Sequence, residues 1–166
     1  MIRDISLWHI FGYCGTLAVL LTDQISKKWA RVLHEVHGDY AVNSFFNVSY
    51  TTENGALQKL FFDNGVVVEF AVMFLFFVLL MMTMELFMKQ SNKINMFLFS
   101  FILGAGGSNF FDKIHLGYVP DFIYVHYSAY HFPVFNFADA VLFLCVPLML
   151  YRMHNADDVK TFINLR

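Results

Sequence analysis

Residues 104–139 read GAGGSNFFDKIHLGYVPDFIYVHYSAYHFPVFNFAD, an acid-bearing stretch set between two apolar runs. Asp121 follows Pro120, whose ring restricts the approach of the chain. Asp139 stands three residues after Asn136, a spacing that puts amide and carboxylate on one helix face. Two carboxylates held together where water is scarce do not ionise together; one keeps a proton near neutral pH and the pair titrates as a unit. The ionised member can take a proton from water, while the protonated member polarises a carbonyl and later feeds a leaving amine. That is aspartyl-protease chemistry, and it needs neither cofactor, metal nor nucleophilic side chain. Which aspartate is base and which is acid stays open at this level, because coupled groups share their protons.

Other chemistries fit these residues less well. Taken alone, Asp121 could bond a loop amide and Asp139 could pair with Lys113. A zinc peptidase of the His-Glu-x-x-His type is absent, since none of the seven histidines has that neighbourhood. Ser108 lacks a glycine after it and a histidine placed as its base. His115, His126 and His131 read as interfacial hydrogen-bonding groups rather than metal ligands. Cys14 and Cys145 lie in apolar runs and read as buried free thiols.

The elements that must position the acids are long and apolar. Hydrophobic residues make up 58% of the 166 and charged residues 14%, which points to one membrane-embedded domain over 1–166. A formal charge of −2 without a basic stripe excludes a nucleic-acid partner. The expected fold is mainly α and polytopic, with four transmembrane helices at about 5–25, 66–87, 94–111 and 134–151. The first span is bracketed by Trp8 and Trp29, about 30 Å apart along a helix, the thickness of a bilayer core. The N-terminal run is expected to remain as an anchor, since no small-x-small site closes it.

Between spans one and two, residues 28–65 form a small extramembrane element of β-strands and an interfacial helix. Its strands are expected in Tyr40–Thr52, its turn at Asn54-Gly55 and its helix at Leu57–Phe62. A further strand-like core covers Val119–Val125, and a polar tail covers residues 152–166. The small residues Gly104–Ser108 suit close helix packing. Asp23 and Lys27, four apart, share a helix face as an ion pair, and Asn109 and Asp112 share another. Asp112 reads as support for the end of the third helix, paired with Lys113. Four antiparallel spans bring Asp23, Asn54, Asn109, Asp112, Asp121, Asn136 and Asp139 to one membrane surface. Lys and Arg divide six to five between the two surfaces, too evenly to orient the chain.

Five stretches, DQISK, NGA, GGSNFFDKI, GYVPDF and PVFNFAD, resemble in order and spacing the bacterial lipoprotein signal peptidases, or signal peptidase II. The resemblance covers nearly the whole chain. It implies an inner-membrane aspartyl endopeptidase that removes the signal peptide from diacylglyceryl-modified prolipoproteins, cutting before the lipidated cysteine. It also implies cytoplasmic termini, an active site at the periplasmic face, surrounding membrane lipids and inhibition by cyclic peptide antibiotics. By motif position it maps the catalytic pair onto Asp121 and Asp139. Supporting or substrate-binding positions fall on Asp23, Lys27, Asn54, Gly55, Asn109, Asp112, Lys113 and Asn136. Two departures stand out: Lys113 replaces the family's usual arginine, removing a planar fork, and NGALQK lacks the aromatic and serine that usually follow NGA. A small ion- or proton-coupled transporter and a catalytically silent prolipoprotein-binding homologue are the alternatives. The first would be expected to show duplicated halves, and none is visible.

Overall fold

The computed structural model describes residues 7–51, 66–89 and 92–154. Within these residues lie four helices, α1 (Leu7–His37), α2 (Val66–Lys89), α3 (Lys93–Leu116) and α4 (Phe137–His154), and four strands, β1 (Tyr40–Ala41), β2 (Phe46–Thr51), β3 (Asp121–Tyr127) and β4 (Tyr130–His131). The fold is mainly helical with a small antiparallel sheet. Each expected span falls largely on a helix. Among the described residues α3 is long and apolar enough, by length and composition, to cross a bilayer. The Asn54-Gly55 turn, the Leu57–Phe62 helix and the tail beyond residue 154 lie outside the described residues.

The helix ends differ from expectation, and caps explain why. The first helix does not stop at Ile25. Its 31 residues reach about 46 Å, three turns beyond the apolar run. No proline or glycine interrupts it after Gly15 until Gly38, which adopts φ +69° and donates its N–H to His34 O at 2.8 Å. The third helix likewise continues past Phe111 to Leu116 and ends at Gly117, φ +81°. Asn92 starts it, its side chain accepting from the Ile94 and Asn95 amides. The fourth helix begins at Phe137, three residues later than expected, so Asp139 lies in its first turn. Hydrophobicity marks where a helix can be buried; backbone caps decide where it ends.

The sheet also corrects the expected architecture. It is not built only between the first two helices: its order is β1-β2-β3-β4, with β3 and β4 coming from the α3–α4 connection. A lone β1–β2 hairpin would be marginal, and β3 supplies the third strand. Thr51 pairs with Asp121 and Asn47 with Tyr124. An isolated bridge between Ile123 and Phe135 then ties β3 to the segment entering α4.

Three apolar clusters stack along the molecule. Met96, Phe99 and Leu103 of α3 meet Leu80 and Met84 of α2 and Met149 of α4. Val19, Ala105 and Ala138 join α1, α3 and α4. Ala30, Val48 and Phe122 seat the sheet on the extension of α1, and Phe137 touches both of the last two clusters. α1 and α3 form the largest helix contact. Gly104 permits it, since a Cβ there would lie 2.5 Å from Thr16 O and 2.9 Å from Val19 Cβ. At Gly107 the nearest atom would be Leu20 Cδ1 at 4.0 Å, an ordinary contact. Gly104→Ala should therefore destabilise the protein by about 1–3 kcal/mol through overpacking, while Gly107→Ala stays near wild type. Thermal unfolding of the two variants in detergent checks this; equal midpoints would contradict the close approach.

Candidate active site

The polar residues of the α1–α3 interface gather around one ammonium group. Asp23, Gln24 and Lys27 lie on α1; Ser108, Asn109 and Asp112 lie on α3, one turn apart. Lys27 is 4% exposed and Asp23 0%. Lys27 Nζ pairs with Asp23 and donates to Asp112 Oδ2 at 2.7 Å and to Asn109 Oδ1 at 2.8 Å. An ammonium has three N–H donors, and three acceptors meet them. Gln24 Nε2 donates to Ser108 Oγ at 2.9 Å and to Asp112 Oδ1 at 2.8 Å, and Ser108 Oγ donates to Asp23 Oδ2 at 2.7 Å.

This cluster reaches into the start of α4. Asp23 Oδ1 accepts from the Ala138 amide at 2.9 Å, satisfying an N–H that the helix itself leaves unpaired. Asn136 and Asp139 close a reciprocal capping box: the Asp139 amide donates to Asn136 Oδ1 at 2.8 Å, and the Asn136 amide donates to Asp139 Oδ2 at 3.2 Å. Asn109 Nδ2 donates to Asp139 Oδ1 at 2.8 Å, and the buried Asn136 Nδ2 donates to Asp121 Oδ1 at 2.7 Å. Asp121 and Asp139 are thus joined through one asparagine.

The amide orientations follow from groups that can only donate. Lys27 occupies Asn109 Oδ1, so Asn109 Nδ2 turns to Asp139; the Asp139 amide occupies Asn136 Oδ1, so Asn136 Nδ2 turns to Asp121. Burial pushes the Asp121 carboxyl up to about 7, the nearby Asp139 charge adds to the rise, and the Asn136 hydrogen bond opposes it. A carboxyl raised to that range can serve as a proton donor near neutrality.

Beside Asp139 lies a cleft of about 660 Å³, lined by Val125, Phe132 and Phe135 together with Phe143 and Leu144 of α4. Phe143 and Leu144 are 79% and 69% exposed, so the cleft is continuous with the apolar outer face of α4. An extended apolar chain can lie there with a polar bond beside the Asp139 carboxylate.

The structure brings together Asp23, Lys27, Asn109, Asp112, Asp121, Asn136 and Asp139. Asn54 and Gly55 fall outside the described residues. Asp112 pairs with Lys27 and not with Lys113, because successive residues on a helix point about 100° apart. Lys113 Nζ instead donates to Gly117 O at 2.7 Å, at the C-terminal end of α3. Asp139 bonds Asn109 and Asn136. Sequence reasoning gave Gln24 no role and weighed Ser108 as a small packing residue and a rejected nucleophile, not as a hydrogen-bonding member of the site. Their positions, next to Asp23 and one turn before Asp112, were the available signal. The Asn-x-x-Asp capping box was also readable from spacing and went unread.

The family model described as "Signal peptidase (SPase) II" matches residues 16–155. A lipoprotein signal peptidase of Cellvibrio japonicus (strain Ueda107) is 33% identical over 146 residues, covering 87% of this chain and 86% of the relative. One from Clostridium tetani (strain Massachusetts / E88) is 33% identical over 144 residues, covering 85% and 90%. A bacterial membrane enzyme solved by the in meso method at 1.9 Å shares the fold with a TM-score of 0.72 at 22% identity, over 88% of this chain and 94% of that one. With the family model spanning most of its length, the chain belongs to the signal peptidase II family and is a membrane protease.

Proposed function

We propose that the protein is an intramembrane aspartyl endopeptidase that removes the signal peptide from lipid-modified prolipoproteins, with Asp121 and Asp139 as its catalytic pair. The carrying observation is the position of Asp139: one oxygen bonds Asn109, the other bonds the α4 cap, and the carboxylate borders an apolar cleft beside Asp121. In this reading the signal peptide and lipid of the precursor lie along the cleft, and the scissile carbonyl meets Asp121. Asp121 holds the proton and polarises the carbonyl. Asp139, both of whose oxygens accept hydrogen bonds, takes a proton from the attacking water and returns it to the leaving amine. Asp23, Lys27, Asn109, Asp112 and Asn136 are positioning residues that hold the pair through α3 and the α4 cap. Lys113 serves the end of α3.

In the same reading α1 to α4 all cross the inner membrane, with both termini cytoplasmic and the sheet and acids at the periplasmic surface. Support comes from the helix connectivity, which brings the C-terminal part of α1, the end of α3 and the start of α4 to one end of the bundle. The hydrogen-bonded state of both aspartates favours an active enzyme over a silent precursor-binding homologue.

Asp121→Asn and Asp139→Asn should each lower cleavage of a lipidated precursor at least about a hundredfold while the folded protein persists, as mass spectrometry of the product and thermal unfolding in detergent would show. Wild-type turnover in either variant removes that residue from the pair. The raised Asp121 value has two further signs. Below pH 7 the acid is protonated and available; above it the proton is lost, so the rate should fall as pH rises through about 7. The native state also binds more protons than the unfolded chain between the ordinary aspartate range and about pH 7, so stability should decline as pH rises across that window. Asp121→Asn should flatten that stability slope, and an unchanged slope would contradict the assignment.

A further inference from the structure

A second cluster lies on the sheet, apart from the proposed reaction. Strand alternation puts Tyr124 and His126 on the face opposite Asp121, Ile123 and Val125. His126 is directly paired with His131 across the β3–β4 ladder, so the two imidazoles share a face. Their ring centroids are 6.2 Å apart, and the Tyr124 ring lies 5.3 Å from His126 and 6.2 Å from His131.

Each imidazole has one nitrogen engaged by a neighbour. His131 Nδ1 is 2.7 Å from the Tyr124 hydroxyl, and His126 Nε2 is 3.4 Å from Asn47 Oδ1. An amide oxygen only accepts, so the His126 contact puts the proton on Nε2 and leaves a lone pair on Nδ1. A phenol oxygen can accept from His131 Nδ1–H in the same way, leaving a lone pair on Nε2. A ring anchored through one N–H with its other nitrogen unprotonated is the arrangement of a metal-ligating histidine. Neutral imidazoles suit Cu²⁺, Ni²⁺ and Zn²⁺.

We propose that His126 and His131 form a chelating site for a divalent transition-metal ion on the sheet face away from Asp121, with Tyr124 and Asn47 orienting the two rings. The ladder joining β3 to β4 is two residue pairs long. β4 runs directly into Phe132 and Pro133, which wall the cleft. A bound ion cross-links that ladder and stiffens the wall, so the site couples metal occupancy to the segment that enters α4.

The test uses the full chain in detergent, free of any oligohistidine tag, titrated with Cu²⁺ and with Zn²⁺ by calorimetry. Saturable binding of one ion is expected, tighter for Cu²⁺ than for Zn²⁺, with two nitrogen ligands in the Cu²⁺ paramagnetic resonance spectrum. His126→Ala and His131→Ala should each weaken binding about tenfold or more. The double variant His34→Ala/His37→Ala, at the end of α1, should leave it unchanged. Should an alanine variant fail to fold, His126→Gln and His131→Gln carry the same comparison. Wild-type affinity without His126 and His131, loss of binding in the α1 variant, or no saturable binding would each overturn the site.

Discussion

The ammonium of Lys27 is the joint on which the polar half of this molecule hangs. Buried between α1 and α3, it would be intolerable alone, and its three N–H groups meet Asp23, Asp112 and Asn109. Removing one partner of such a buried pair generally costs about 3–5 kcal/mol, because the remaining charge stays desolvated. Its larger effect is directional. Lys27 can only donate, so it decides which way Asn109 points and therefore that Asp139 receives an N–H. Asp23, anchored by the same ammonium and by Ser108, caps α4 at Ala138. The start of α4, and with it Asp139, is thereby set by a residue more than a hundred positions earlier.

That arrangement makes the structural role of Asp139 compatible with the catalytic role proposed for it. A carboxylate in the first turn of a helix, bonded to its own cap, has an ordinary structural explanation. Here the cap residue, Asn136, uses its remaining N–H on Asp121. The capping box therefore also spaces the two acids. An apolar cleft borders Asp139, and the exposed Phe143 and Leu144 extend it along the flank of α4.

The sheet performs a related task at the end of the bundle. β3 begins at Asp121, and the Ile123–Phe135 bridge draws the entry of α4 against it. Because β2 comes from one connection and β3 from another, the strand pairing locks together two segments that the helices alone leave independent. The extension of α1 beyond the apolar run gives the sheet its seat through Ala30, against Val48 and Phe122.

Composition and hydrophobic runs determined the helical class and the approximate places of four helices, while the proposal of Asp121 and Asp139 as the pair rested on their spacing from Pro120 and Asn136 and on motif resemblance. The i, i+4 pair Asp23–Lys27 was also legible, since one helix face forces those side chains together. Helix ends were not, because Gly38 and Gly117 act through backbone φ values that hydrophobicity does not report. Asp112 was misassigned to Lys113 because adjacency in sequence was read as adjacency in space, which helical geometry forbids. Only the tertiary structure decided that Lys27 faces Asn109, that Asp23 caps α4 and that Asn136 bridges the two aspartates. Those are contacts between segments far apart in the chain. Their geometry follows from how closely α1 and α3 approach over Gly104, a distance that no local pattern encodes.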